Sequence, residues 1–112
     1  MYAEEIREFV LQLGEVSEGF PFGEDVLVFK VKGKIFLLLS LDAVPLQFNV
    51  KCEPLRALEL RETFPDTVLP GYHMNKKHWN TIIVDGYLTK NQLYDMIEHS
   101  YTLVKGKQAM KK

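Results

Sequence analysis

Two short stretches carry the residue types best suited to holding an anion. In the first, Lys30, Lys32 and Lys34 alternate, with Lys51 further along the chain. In the second, Asn75-Lys76-Lys77-His78-Trp79 sets two lysines and a histidine beside a tryptophan. An ammonium group meets a phosphate oxygen as a point charge, and an aromatic ring stacks on an exposed base. Lys30, Lys32, Lys34, Lys76, Lys77, His78 and Trp79 are therefore the expected nucleic-acid-binding residues. The competing reading is structural. Trp79 then belongs to a core, Lys76 and Lys77 solvate a turn, and the strand lysines block sheet-to-sheet aggregation.

Other chemistry has less to stand on. His73 and His78 would point to opposite faces of one continuous strand, and His99 falls on the outer side of the last helix. A three-histidine metal site is therefore not expected. Glu4, Glu5 and Glu8 are the kind of ligand a hard cation takes, but a solvated helix face accounts for them more simply. Cys52 precedes a helix start, whose dipole would lower a thiol pKa, yet no histidine or asparagine is placed by sequence to serve it. The chain has no Walker loop, Gly-x-Gly-x-x-Gly, Gly-x-Ser-x-Gly or His-Glu-x-x-His. No catalytic residue, metal or cofactor is expected, and the chain does not read as an enzyme.

The 112 residues suit one domain spanning 1–112, with a flexible lysine-rich tail from about residue 106. A hydrophobic content of 46% provides for a core and argues against intrinsic disorder. A single cysteine excludes an intramolecular disulfide and a Cys-x-x-Cys zinc site. The first residues lack the pattern of a signal peptide, and the longest apolar run, Ile35 to Leu39, is far too short to span a bilayer. The expectation is a cytoplasmic protein without a membrane partner.

The net charge of −1 conceals an uneven distribution. Residues 1–25 carry seven acids against Arg7, and residues 26–52 carry four lysines against Asp42. Residues 67–112 carry seven lysines against Asp85, Asp95 and Glu98. Local patches steer a charged partner, so the overall balance neither supports nor excludes an anionic one.

The elements that must position these residues follow from apolar spacing. Tyr2, Ile6, Phe9, Val10 and Leu13 share one face of a helix that Gly14 stops. Val26 to Val31 and Lys34 to Leu41 form two strands joined by Lys32-Gly33. Leu46, Phe48 and Val50 alternate with polar residues in a third strand. Glu53-Pro54 starts a second helix that buries Ala57, Leu60 and Phe64, flanked by Leu55 and Leu58. Tyr72 to Asn75 and Trp79 to Val84 are expected as strands, with residues 75–78 as their turn. Thr89-Lys90-Asn91-Gln92 fits a capping box opening a last helix, which turns Leu93, Met96, Ile97, Ser100, Tyr101 and Val104 inward. The fold class is α+β: a mainly antiparallel sheet of about five strands with three helices on one face, in the order α-β-β-β-α-β-β-α.

Several blocks together resemble a known family. They are Phe20-Pro21-Phe22-Gly23-Glu24-Asp25-Val26, Cys52-Glu53-Pro54, the run from Pro70 to Trp79, and Ser100-Tyr101-x-Leu103-Val104. The chain is similar in these to the YjbR/MmcQ family of small bacterial proteins, from the first helix to about Lys107. The resemblance implies a frataxin (CyaY)-like sandwich and a proposed DNA-binding role through a double-wing arrangement. It supplies no catalytic residue, substrate or cofactor. The expected partner is thus DNA, held on two basic hairpins. The alternative is a protein or small ligand docked on the open face of the sheet.

Overall fold

The computed structural model describes residues 1–106; the expected lysine-rich tail beyond lies outside them. Three helices and six strands follow in the order α1 (Ala3–Leu11), β1 (Val16–Gly19), β2 (Val26–Val31), β3 (Lys34–Ser40), β4 (Leu46–Lys51), α2 (Pro54–Thr63), β5 (Val68–Pro70), β6 (Trp79–Val84) and α3 (Lys90–Lys105). The strands form one antiparallel sheet in the order β1-β2-β3-β4-β6-β5. The α+β class with three helices holds, and the strand count rises to six.

The extra strand is β1, whose Val-Ser-Glu-Gly has no apolar alternation and pairs only with β2 at the sheet edge. The strand expected at Tyr72–Asn75 is instead turn structure, and the partner of β6 lies earlier, at Val68–Pro70. His73 has a positive φ of 60°, which breaks an extended run at that point.

Alternate strand positions build the core. Phe29, Leu37, Phe48, Val50 and Ile82 join Ile6 and Val10 of α1 and Leu93, Ile97 and Val104 of α3 in one buried cluster. A register shift between Phe29 and Lys30 lets Phe36 and Leu37 both enter that cluster. The helix α3 is seated by its expected capping box: Thr89 Oγ1 accepts from Gln92 N–H at 3.1 Å, and Gln92 Oε1 accepts from Thr89 N–H at 2.8 Å. Its six expected inward residues are all buried. Ser100 donates to the Phe36 carbonyl at 2.6 Å and accepts from Lys51 N–H at 2.8 Å, which locks α3 across β3 and β4.

For α2, Ala57 is buried and Leu60 and Phe64 pack on the core. Leu55 and Leu58 do not widen that stripe. They are 72% and 53% exposed, because their positions on the helix lie away from the sheet.

Candidate nucleic-acid interface at one end of the sheet

Antiparallel pairing decides where the lysines meet. The exit of β2, the entry of β3, the exit of β4 and the entry of β6 all lie at one end, because Val31 pairs with Lys34, Leu37 with Val50, and Lys51 with Trp79. Lys30, Lys32, Lys34, Lys51, Lys76 and Lys77 sit on these strand ends and on the connections beyond them. Lys105 joins them as α3 ends beside Glu15, the residue preceding β1. The eighth described lysine, Lys90, is at the other end, paired with Glu5 at 2.9 Å. All seven expected site residues thus lie at the same end, although sequence alone could not place the two basic segments relative to each other.

The first segment is a tight hairpin. Lys32 and Gly33 both have positive φ, 54° and 78°, as a two-residue turn matched to strand twist requires. This exposes Lys32 at the tip and Lys34 beside it, while Lys30 is half-buried on the strand.

The second segment is a longer connection, residues 71–78, folded onto itself. Gly71 donates to the Trp79 carbonyl at 2.8 Å. A Cβ at Gly71 would come within 2.7 Å of Trp79 Cβ and 2.9 Å of its carbonyl oxygen, so only glycine permits this approach. Asn75 accepts at its side chain from Lys77 N–H (2.9 Å) and at its carbonyl from His78 and Trp79 N–H (3.1 and 3.0 Å). Lys76 Nζ donates to the Gly71 carbonyl at 3.2 Å, so this lysine also braces the loop. Tyr72 N–H donates to Thr81 Oγ1 at 3.0 Å, and Thr81 in turn donates to Asn49.

Arg61 of α2 holds the whole connection. Its guanidinium donates to Asn80 Oδ1 at 2.8 Å, to the Trp79 carbonyl at 3.2 Å and to the Lys76 carbonyl. Sequence reasoning missed this residue. An arginine within a helix carries no local signal for partners on a later connection. Trp79 itself is half-buried, between the core and surface extremes, and His78 is half-buried beside it.

Positive charge at this end is largely uncompensated. Among the described residues, Lys105–Glu15 at 3.9 Å is its one lysine ion pair. The two basic turns stand about 14 Å apart, three strand spacings of roughly 4.8 Å, with Lys51 on the strand between them. The arrangement can present several ammonium groups to a chain of phosphates.

The remaining candidates do not converge. The Tyr72 and His73 rings meet in a tilted contact, centroids 4.0 Å apart and planes at 46°, at the exposed face of the connection. His99 is not on the outer side of α3: it is half-buried, and its Nε2 accepts from Glu53 N–H at 3.2 Å. Burial, and then the neighbouring Arg56, depress its pKa. Cys52 is buried, and that burial pushes its thiol pKa up, overriding any helix-dipole lowering. Among the described residues, no three His, Cys, Asp or Glu side chains gather as a metal-holding group. No described helix is long and apolar enough to cross a membrane.

Comparison with known proteins agrees with the fold. The YjbR family model matches residues 11–103. The uncharacterised protein YbdF of Escherichia coli O157:H7 is 39% identical over 102 residues, covering 90% of this chain and 82% of its own. The uncharacterised protein YyaQ of Bacillus subtilis is 39% identical over 57 residues, 51% of this chain and 47% of its own. The crystal structure of Deinococcus radiodurans protein DR2400 superposes with a TM-score of 0.91 at 36% identity, covering 96% of this chain and 80% of that one. A Pseudomonas syringae crystal structure shares the fold at a TM-score of 0.76 and 22% identity, over 93% of this chain and 99% of its own. The chain belongs to the YjbR family.

Proposed function

We propose that this YjbR-family chain is a nucleic-acid-binding module, and that its binding surface is the basic end of the sheet. One observation carries the reading: seven of the eight described lysines gather at that end, from five separate strand and helix termini. Folding such like charges together opposes the compact state through self-repulsion, and a polyanion relieves it. The two turns then act as the two basic wings, with Lys32 and Lys34 on one and Lys77 on the other. Lys51 bridges them, and Trp79 supports the second wing from below. Tyr72 offers an exposed ring, 65% accessible, on which an unpaired base can stack. Lys76 serves mainly to shape the loop. No base-reading constellation accompanies the lysines, so the binding is through the backbone and largely indifferent to sequence.

The test is a salt titration with duplex and single-stranded DNA. Five free lysines, at roughly 0.7–0.9 each, give a slope of about −3.5 to −4.5 in log K against log salt. Lys76→Glu with Lys77→Glu should weaken binding to both forms and flatten the slope. Absence of binding at low salt, or binding indifferent to that double substitution, would sink the proposal.

A second reading rests on the sheet face turned away from the helices. The half-buried Trp79, Ile83, Gln47 and Asn49 lie there, with Val28, Leu38 and Thr81 buried among them, a mixed surface able to dock a protein or small ligand. Trp79→Ala separates the two. Loss of a partner with the salt-dependent DNA binding intact favours this face.

A further inference from the structure

Between the two basic turns, on the helix side of the sheet, the surface falls into a groove of about 480 Å³. Its walls come from Lys34 and Ile35 at the start of β3, Lys51 at the end of β4, His78 before β6, and Leu103 and Val104 in the last turn of α3. The volume lies within the roughly 300–1,000 Å³ of small-molecule sites, and it would take a nucleotide but not a duplex. The lining divides by chemistry. Lys34 and His78 offer positive charge or N–H donors at one side, while Lys51, whose register with Trp79 turns its side chain to the opposite face, contributes backbone. Leu103 and the edge of the largely buried Val104 offer an apolar strip against which a flat ring can lie. Glu53 is also among the lining residues, where its carboxylate repels a second anionic group but can accept from a base N–H. A monophosphate attached to a base satisfies all three features; a triphosphate or a bare polyphosphate does not.

We infer that this groove binds one nucleoside monophosphate unit, supplied by a strand end or by a free mononucleotide. The strand-end form rests on the nucleic-acid reading above, since the flanking turns would hold the following phosphates. The terminal nucleotide then enters the groove with its phosphate toward Lys34 and its base along Leu103 and Val104. Ends and single strands are thereby preferred to continuous duplex.

The experiment is an amide NMR titration of the full chain with three probes: a 5′-phosphorylated oligothymidylate, the same strand without the phosphate, and free thymidine monophosphate. The groove predicts shifts at Lys34, Ile35, His78, Leu103 and Val104, larger with the phosphorylated strand. Lys34→Ala, at an exposed position that leaves the core intact, should weaken that strand roughly fivefold, the loss of one phosphate contact. Leu103→Trp, checked for folding by circular dichroism, should reduce the preference for the phosphorylated end by filling the groove. Shifts at these residues with free thymidine monophosphate support the free nucleotide as a source. Strand binding that shifts only the two turns, equally with and without the phosphate, overturns the groove and leaves the nucleic-acid reading standing. Thymidine monophosphate shifting the groove while no strand binds at low salt keeps the groove and overturns the nucleic-acid reading. No response to any probe overturns both.

Discussion

The two ends of the sheet differ in charge, in exposed chemistry and in how the chain is tied. One end holds seven of the eight described lysines. The other is reached by the connections at residues 20–25, 41–45, 64–67 and 85–89, and it carries Glu24, Asp25, Asp42, Asp66 and Asp85. Phe20, Phe22 and Val44 stand exposed there, 50%, 64% and 95% accessible. The basic end is braced by the side chains of Arg61, Asn75 and Lys76, whereas the acidic end is tied mainly through backbone hydrogen bonds, such as Leu41 N–H to the Asp25 carbonyl at 2.8 Å. A net charge of −1 thus describes neither end. Charge segregation of this kind sets the orientation in which a polyanion meets the molecule.

The largest expected difference between the ends is in tolerance to a methyl group. Gly71→Ala forces a Cβ against Trp79 Cβ and its backbone oxygen, and overpacking of this kind costs about 2–3 kcal/mol. Gly86→Ala at the acidic end meets no atom within 4 Å and carries only the strain of its φ of 92°, about 1 kcal/mol. Urea unfolding of the two variants checks the order. Equal losses would mean that residues 71–78 yield as easily as an ordinary turn.

Next in size is the arginine clamp. Arg61→Ala removes the donors that hold the Lys76 and Trp79 carbonyls and leaves Asn80 Oδ1 without its partner in a buried setting. Hydrogen bonds to a charged group are worth about 1.5–3 kcal/mol, and solvent near Lys76 reduces the sum toward about 2 kcal/mol. Hydrogen exchange should rise at His78 and Trp79, whose amides are held by the Asn75 carbonyl. Exchange should remain unchanged across the acidic-end connections.

Charge reversal compares the ends directly. Lys32→Glu removes one exposed cation and adds an anion at the basic tip, for a loss of about tenfold in DNA affinity, or 1.4 kcal/mol. Asp42→Lys at the acidic end makes the same size of charge change in the opposite sense, at a site turned away. It should leave the salt slope unaltered. A gain in slope from Asp42→Lys would show that the anion wraps the whole molecule.

Much of this arrangement was readable where a local rule applied. The Thr89–Gln92 capping box, the Pro54 helix start and the Lys32-Gly33 turn each depend on neighbours in sequence, and each fell where expected. The edge strand β1 escaped because Val16–Gly19 has one apolar side chain and an exposed middle. The β5 strand escaped because three residues give no period, and Tyr72 to Asn75 offered a more strand-like run. Leu55 and Leu58 misled because α2 carries leucines around its wheel, so identity does not reveal which side faces the sheet. The candidate lysines were visible as residues. Their gathering at one end was not, since it depends on which strand ends become neighbours. Arg61 and the groove beside Leu103 depend on contacts between distant segments and left no pattern to read.

The smallest expected effect is a pH dependence lodged beneath the basic end. His99 is half-buried, and its pKa is depressed chiefly by that burial and then by Arg56, with Glu53 and Asp95 opposing. Its Nε2 accepts from Glu53 N–H, so the neutral ring fixes the Cys52–Glu53 corner from which α2 departs. The unfolded chain takes up the proton near the ordinary value of about 6.5, while the folded chain resists it. The stabilisation is therefore fully present above that value. It is lost as the pH falls below 6.5 towards the lower folded value, with no further loss beneath it. Glu5 and Glu18, whose pKa values are lowered by Lys90 and Arg7, titrate below the ordinary carboxylate value of 4.5 and occupy a separate window. His99→Gln keeps an acceptor for Glu53 N–H and removes the titration. Chemical denaturation between pH 7.5 and 5 should show the parent losing stability on the acid side and the variant holding level. If the two curves run parallel, His99 is not the group that couples proton uptake to the basic end. Its ring would then be protonated as readily in the fold as in the open chain.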